Sequence, residues 1–517
     1  MKKSTDLINE KAEVNGQPEA SIEEGKKLID SYNFNSKNIP ITINVYKKKG
    51  EFVLIYDVSI ASISKNTEII LEKIRQELTN QVSLGMVDIL SLKESDVIEK
   101  KFMEAIGILI QKHFPDVDQN TEDFLKTYLM QKSLGMGSIE ILMDDKSLEE
   151  IAINGAKDFV WVYHKKHGWL KTTIKLKSDE QIRHYSSMIG RRIGRQITIL
   201  EPLMDANLST GDRVNATLEP ISVEGNTMTI RKFAAKPWTI TDFLKTGTIS
   251  PEAASLIWMG VQFELSALIA GGTATGKTSM LNVVANFFPP NQRIISIEDT
   301  REIQLPEFLH QVAMVTRLPN PEGKGEVSML DLLVNSLRMR PDRILVGEIR
   351  RKREAEVLFE AIHTGHSVYA TVHANDASET ITRLVSPPIE IPKTMIPAIS
   401  MIIVQYRNRR TGIRKTFQIA EVLPDATPNV LMQLDIKTGN FNKVSRSKSL
   451  MHTIQMFTGY SESEINKSLR EKETVLKWLV KHNINDINDV GRAIAEYYTY
   501  KDDLMKRVSK NKPLEGL

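Results

Sequence analysis

Leu265-Ser266-Ala267-Leu268-Ile269-Ala270-Gly271-Gly272-Thr273-Ala274-Thr275-Gly276-Lys277-Thr278-Ser279 passes from an unbroken apolar run into a glycine-rich turn. Residues 266–270 have the continuous apolar character of a strand buried on both faces. Met280, Leu281 and Val284 then continue at helical spacing. The turn matches G-x-x-x-x-G-K-[ST], whose glycines let successive backbone N–H groups curl around phosphate oxygens while the next helix points its positive end at them. Lys277 is expected to reach the β- and γ-phosphates of a nucleotide, and the Thr278 hydroxyl a Mg²⁺ ion. The expected nucleotide contacts are Gly271, Gly272, Thr273, Ala274, Thr275, Gly276, Lys277, Thr278 and Ser279.

Such a loop needs acids on neighbouring strands, and two apolar runs supply them. One is Ile294-Ile295-Ser296-Ile297, ending in Glu298 and Asp299; the other is Ile344-Leu345-Val346-Gly347, ending in Glu348. Both would deliver a carboxylate to the C-terminal end of a strand, where open α/β sheets bind ligands. A third run carries Val368, Ala370 and Val372 on one face and Thr371 with His373 on the other. His366 and His373 fall on opposite faces, so they are not read as a shared metal site; a strand-end role and a phosphate-sensing or interface role both remain open.

Outward from this centre, residues 237–445 read as strands alternating with helices, the pattern of a parallel α/β sheet. Expected strands cover 266–270, 293–297, 344–346 and 368–372. Lys236-Pro237-Trp238 reads as a linker, since a residue before proline avoids helix. Residues 1–36 read as a polar mobile tail, with no apolar run after Met1-Lys2-Lys3 to form a secretory signal. Residues 37–99 read as a small α+β region: Ile41, Ile43 and Val45, then Phe52, Leu54 and Tyr56, alternate as a hairpin. Ile70, Ile74 and Leu78 follow a cap at Asn66. Residues 100–236 read as an α+β domain with turns at Gly211-Asp212 and Gly225-Asn226. Residues 446–517 read as helical, with Ile454, Ile465, Leu469, Leu476 and Leu479 as core.

Composition narrows the classes. A chain of 517 residues is too long for one core. A net charge of +3 is small for that length, so no polybasic nucleic-acid binder is expected. Zero cysteines exclude disulfides and cysteine-ligated zinc, and fit a cytoplasmic location. The most apolar segment, 395–404, is about half a membrane span. Local cationic clusters at Arg350, Arg351, Lys352 and Arg353, and at Arg407, Arg409, Arg410, Arg414 and Lys415, read as solvated surface, with anionic lipid, an acidic partner or nucleic acid as the alternatives.

Four strings, GGTATGKTS, SIEDTREIQLP, LRMRPDRILVGEIR and TGHSVYATVHANDA, resemble in order and spacing the Walker A, aspartate-box, Walker B and histidine-box segments of the secretion ATPase superfamily. That superfamily powers type II and type IV secretion, type IV pilus assembly and the archaellum. The likeness extends over roughly 120–425 and is nearest to the archaeal pilus and archaellum motors; absence of cysteine argues against the zinc-bearing bacterial branch. The resemblance implies a RecA-like motor domain behind an N-terminal domain, a homohexamer using ATP and Mg²⁺, and a polytopic membrane platform protein as partner. The motor would work peripherally at the inner face of the cytoplasmic membrane. By the same resemblance Glu298 positions the attacking water, and Glu348, through water, and Thr278 serve Mg²⁺. His366 and His373 form the histidine box, and Arg213 and Arg231 are N-terminal-domain arginines directed at phosphate. After Arg350 the family pattern has glycine or aspartate where Arg351-Lys352 stand here. A nucleic-acid translocase and a non-hydrolysing ATP-binding scaffold are the alternatives.

Overall fold

A computed structural model describes residues 25–37, 39–60, 65–83, 95–133, 135–208, 210–233, 236–319 and 323–514. The chain divides into two compact units, residues 1–208 with 212–232, and residues 233–517 with 209–211.

The first unit holds one nine-stranded sheet. Its strands are β1 (Lys26–Ser36), β2 (Ile39–Lys48), β3 (Ile55–Ile60), β4 (Leu148–Asn154), β5 (Phe159–His164), β6 (Gly168–Lys175), β7 (Leu203–Asn207), β8 (Arg213–Thr217) and β9 (Thr227–Arg231). They lie in the order β1-β2-β3-β6-β5-β4-β9-β8-β7. The expected hairpin forms as β2 with β3, paired antiparallel, but its second strand starts at Ile55, so Phe52 and Leu54 precede it and Phe52 is exposed. Two sequence readings are corrected. Residues 26–36, taken as tail on their polarity, form β1, paired along its length with β2. Its polar side chains are anchored individually: Tyr32 donates to Asp145 Oδ2 at 2.5 Å and Ser36 to Asp144 Oδ2 at 2.5 Å. Residues 1–24 of that expected tail, and the side chain of Asn66, lie outside the described residues. Residues 37–99 are also not a region apart. β3 pairs in parallel with β6, and Ile41, Ile74, Ile106, Ile151 and Ile230 share one core.

The second unit carries β10 (Ala267–Gly271), β11 (Arg293–Glu298), β12 (His310–Val315), β13 (Arg343–Val346), β14 (Ser367–Val372), β15 (Met401–Arg407), β16 (Arg414–Val422), β17 (Pro428–Leu434) and β18 (Phe441–Lys443). The order is β12-β11-β13-β14-β10-β15-β16-β17-β18, parallel from β12 to β15 and antiparallel beyond. Period-two alternation sorts the side chains. Ala267, Ile269, Leu345 and Tyr369 enter one core; Leu268, Ala270, Val346, Val368 and Val372 enter the other. Helices Met329–Ser336, Lys352–His363 and Ala377–Val385 cover the second face.

The first face is closed by the C-terminal helices Leu450–Thr458, Glu462–Lys481, Ile487–Thr499 and Lys501–Ser509. Ile454, Ile465, Leu476 and Leu479 are buried and Leu469 packs beside them, each buried side chain stabilising by about 2 kcal/mol. These helices share their core with the sheet, so residues 446–517 are a layer of the second unit rather than an appendage. Trp258 of helix Pro251–Gln262 stacks on Phe287 at 5.3 Å, and its Nε1 donates to Tyr498 Oη at 2.9 Å.

Glu421 of β16 fastens the layer to the sheet. Fully buried, its carboxylate accepts from Asn429 Nδ2 (2.6 Å), Ser447 Oγ (2.7 Å) and the backbone N–H groups of Lys448 (2.6 Å), Ser449 (3.1 Å) and Leu450 (2.8 Å). It thereby caps helix Leu450–Thr458, whose own Ser449 makes no side-chain cap. Burial alone would raise its pKa, yet these donors hold it below the ordinary carboxylate range. Glu421→Ala should destabilise the second unit by about 3 kcal/mol, measured as a lowered denaturant midpoint with hydrogen-exchange protection lost first over 447–458. Unchanged protection there would contradict this role.

Candidate active site

The sheet order brings four strand ends side by side: Glu298 closes β11, Glu348 follows β13, His373 follows β14, and the glycine loop follows β10. In the loop, Gly276 sits at φ +94°, a left-handed conformation that favours glycine, immediately before helix Lys277–Ala285. The helix therefore opens with its unpaired N–H groups at the loop. Lys277 Nζ donates to the carbonyls of Gly271 and Gly272, each at 3.0 Å. Thr275 Oγ1 donates to Gly272 O at 2.9 Å.

From Lys277 a polar chain crosses the strand ends. Its Nζ lies 3.5 Å from His373 Nδ1, and His373 Nε2 lies 2.8 Å from Glu348 Oε1. Burial and the Lys277 charge hold His373 below the ordinary imidazole range, against the pull of Glu348. A neutral ring fits both neighbours, its Nε2–H donating to the carboxylate and its Nδ1 lone pair facing the ammonium. Arg350 binds the other Glu348 oxygen through Nε at 2.8 Å and Nη2 at 2.6 Å, and reaches Asp299 Oδ2 at 2.7 Å.

Glu298 is set apart from that chain and is 2% exposed. Its Oε1 accepts the backbone N–H groups of Glu302 and Ile303, both at 2.9 Å, while the buried Oε2 has no hydrogen-bond partner among the described residues. Burial pushes its pKa up to about 7, the two backbone donors opposing. Asn282 of the phosphate-loop helix holds the same loop, accepting from Gln304 N at 3.0 Å and donating to Glu302 O at 3.3 Å.

Other expected site residues fall elsewhere. His366 precedes β14 at the opposite end from His373, about 20 Å away by strand rise. Its Nδ1 lies 3.1 Å from Ala361 O, outside the cluster. In the first unit Arg213 and Arg231 are direct partners across β8 and β9, both exposed. Arg213 makes a two-pronged ion pair with Asp205. Three residues escaped the sequence reading: Asn282, Arg350 as a bridge, and Arg414, whose Nε donates to Ala274 O in the phosphate loop at 2.9 Å. The Arg351-Lys352 departure is the start of helix Lys352–His363, with Glu354 accepting the N–H groups of Arg350 and Arg351.

Oxygen donors at Thr278 and Glu348 suit Mg²⁺. Among the described residues no group of three or more His, Asp or Glu side chains is placed to hold a metal by itself.

Residues 132–415 match the family described as type II/IV secretion system protein, and residues 438–514 match the family described as PilB3-like, C-terminal. The chain belongs to the type II/IV secretion ATPase family. An uncharacterized protein of Methanocaldococcus jannaschii is 31% identical over 77% of this chain and 74% of its own length. A second from that organism is 36% identical over 67% of this chain, which spans about half (47%) of that relative. The type IV secretion system protein PtlH of Bordetella pertussis is 27% identical over 52% of this chain and 88% of its own. Among solved structures, the Legionella pneumophila ATPase DotB aligns at 17% identity and TM-score 0.41, over 72% of this chain and 95% of its own. The second unit, a sheet parallel from β12 to β15 with a phosphate loop after β10, has the RecA-like P-loop fold. Among the described residues no helix is long and apolar enough to cross a membrane.

The Glu298 environment has a consequence for stability that needs no ligand. Its folded pKa of about 7 exceeds the ordinary 4.5. Between those values the folded state keeps a proton that the unfolded chain has lost, so stability falls as pH rises through that window. Wild type should lose about 3 kcal/mol relative to Glu298→Gln between pH 4.5 and 7.5, measured by chemical unfolding at several pH values. Parallel pH profiles for the two proteins would contradict the buried-carboxyl assignment.

Proposed function

We propose that this chain is an ATP-hydrolysing motor subunit that works as a ring of six copies. It would convert hydrolysis into movement of its first unit against its RecA-like unit. That movement would drive a polytopic membrane platform protein in assembling a pilus-like or archaellum-like filament, or in type II/IV secretion, at the inner face of the cytoplasmic membrane. The observation that carries the reading is the pairing of a phosphate loop with a buried carboxyl group whose pKa is raised to about 7 and whose Oε2 is unpartnered. A scaffold that only bound nucleotide would have no use for so costly a group.

In this reading Lys277 exchanges the Gly271 and Gly272 carbonyls for the β- and γ-phosphate oxygens, and the helix behind it neutralises part of their charge. Glu298 Oε2 orients a water and takes its proton as the water oxygen bonds to the γ-phosphorus and the bond to ADP breaks. A carboxyl with a pKa near ambient pH suits that task, because it is basic enough to accept the proton and largely ionised just above neutrality. Mg²⁺, held by Thr278 and through water by Glu348, would supply charge to the phosphates. Neutral His373 steadies Glu348 and reports the position of Lys277. His366 takes no part, since it stands at the far end of its strand. Arg213 and Arg231 supply positive charge to the γ-phosphoryl group. Arg213 would exchange its Asp205 partner for phosphate oxygens.

Lys277→Ala should abolish phosphate release while leaving the circular dichroism spectrum unchanged. Arg213→Ala and Arg231→Ala should lower turnover by about a thousandfold, with nucleotide affinity changed much less. Wild-type turnover in either arginine variant would remove the first unit from the chemistry. Stimulation by single-stranded DNA, and not by membrane-embedded platform protein, would favour a translocase.

A further inference from the structure

The loop that holds Glu298 is itself held from outside by the C-terminal helical layer. Gly491 lies inside helix Ile487–Thr499, where glycine is a poor helix former. The reason is contact: a Cβ at this position would stand 2.4 Å from Pro306 Cγ, 2.9 Å from Pro306 Cβ and 3.4 Å from a Phe308 ring carbon. One turn earlier, Asn488 Oδ1 accepts the backbone N–H of Glu307 at 2.9 Å. Ile303, Leu305 and Leu309 from the same loop share a core with Val490, Ala493 and Ile494 from the helix. The loop is short and stiff between these points. Ile303 N is bonded to Glu298 Oε1, Gln304 N to Asn282 Oδ1, and Leu309 N to Pro306 O at 3.0 Å. A shift of Pro306 therefore has little slack to absorb it before it reaches the two N–H groups on Glu298.

We propose that Gly491 and Asn488 are positioning residues, through which the C-terminal helical layer sets the register of the 302–309 loop and so the placement of the Glu298 carboxylate. The inference rests on the reading of Glu298 as the group that orients the attacking water. It gives the C-terminal layer a task beyond covering the sheet. A partner that pulled on helix Ile487–Thr499 would change turnover without touching nucleotide. The direction is also set. Loosening the loop admits water to Glu298, whose charged neighbours Arg301 and Glu302 lie on that same loop, and its pKa falls toward that of an ordinary carboxyl.

The test uses the full chain, with ATP turnover followed from pH 5 to 9 and nucleotide affinity measured beside it. Wild type should lose activity on the acid side near pH 7. Gly491→Ala should lower kcat ten- to a hundredfold, a loss of about the size a 1 Å misplacement brings, with Kd for ATP within about threefold. Its acid limb should shift downward by about one pH unit. Asn488→Ala should do the same more weakly, and Asn488→Asp, which keeps the acceptor, should restore most of the activity. If Gly491→Ala lowers only the unfolding midpoint and leaves the acid limb and kcat of the folded fraction unchanged, the contact is packing alone and the inference is overturned. If Gly491→Ala does not fold, Asn488→Ala decides in the same way. A wild type that hydrolyses no ATP overturns the proposed function and this inference together; an active wild type with unchanged variants overturns this inference alone.

Discussion

A buried carboxyl group with one oxygen pinned and the other unsatisfied is unfavourable, and the RecA-like unit is organised around keeping one. Glu298 is held at Oε1 by two backbone N–H groups, and its Oε2 has no hydrogen-bond partner among the described residues. In water either oxygen would be solvated at once, so the group keeps its raised pKa only while the surrounding loop stays closed. Three elements share that duty. Asn282 fixes the loop from the phosphate-binding helix, β11 fixes it from the sheet, and Asn488 with Gly491 fixes it from the C-terminal layer. The phosphate-loop helix, the strand end and the C-terminal helices thus meet around a single carboxylate.

The opposite ends of the strands show how the sheet stays rigid enough for this. Arg343 opens β13 fully buried, donating to Ser367 Oγ (2.9 Å), Tyr369 Oη (2.7 Å), Val261 O (2.8 Å) and Gln292 Oε1 (2.8 Å), with Phe288 stacked at 5.1 Å. The guanidinium, held by neutral acceptors and aromatic faces with the exposed Glu264 carboxylate 4.0 Å from Nη2, ties β13, β14 and helix Pro251–Gln262 together. Lys472 is a second buried cation, on Ser468 Oγ at 2.8 Å and over the Tyr497 ring at 4.8 Å. Burial, and then Lys501, lower its pKa to about 7. Both cations serve the face on which the C-terminal layer packs.

What the sequence made legible was local and periodic. The glycine loop, the apolar strands ending in Glu298 and Glu348, and the alternation of Val368, Ala370 and Val372 all depend on spacing alone. The structure has β10, β11, β13 and β14 within a residue or so of the expected bounds. What was hidden depends on contacts between distant segments. Residues 26–36 look like tail because their polarity outweighs the Tyr32 and Phe34 alternation, while their pairing with β2 and their anchors on Asp144 and Asp145, more than a hundred positions along, are not local. Arg343 carries no local mark, since its partners come from β14 and helix Pro251–Gln262. Gly491 is one of 27 glycines with nothing local to mark it, because its significance lies in Pro306. The histidine pair shows the converse: spacing correctly kept His366 and His373 apart, but gave no sign that only His373 would join the phosphate loop.

The central claim is that Glu298 acts on water while Glu348 serves the metal shell, and one substitution examines it directly. In Glu298→Gln the side chain keeps its shape and its acceptor oxygen but cannot take a proton. Equilibrium binding of ATP with Mg²⁺ and phosphate release should be measured on the same preparation. The account predicts binding within about threefold of wild type and turnover lost by more than about a hundredfold. Near-normal turnover in Glu298→Gln, with Glu348→Gln inactive, would contradict it and exchange the roles of the two carboxylates.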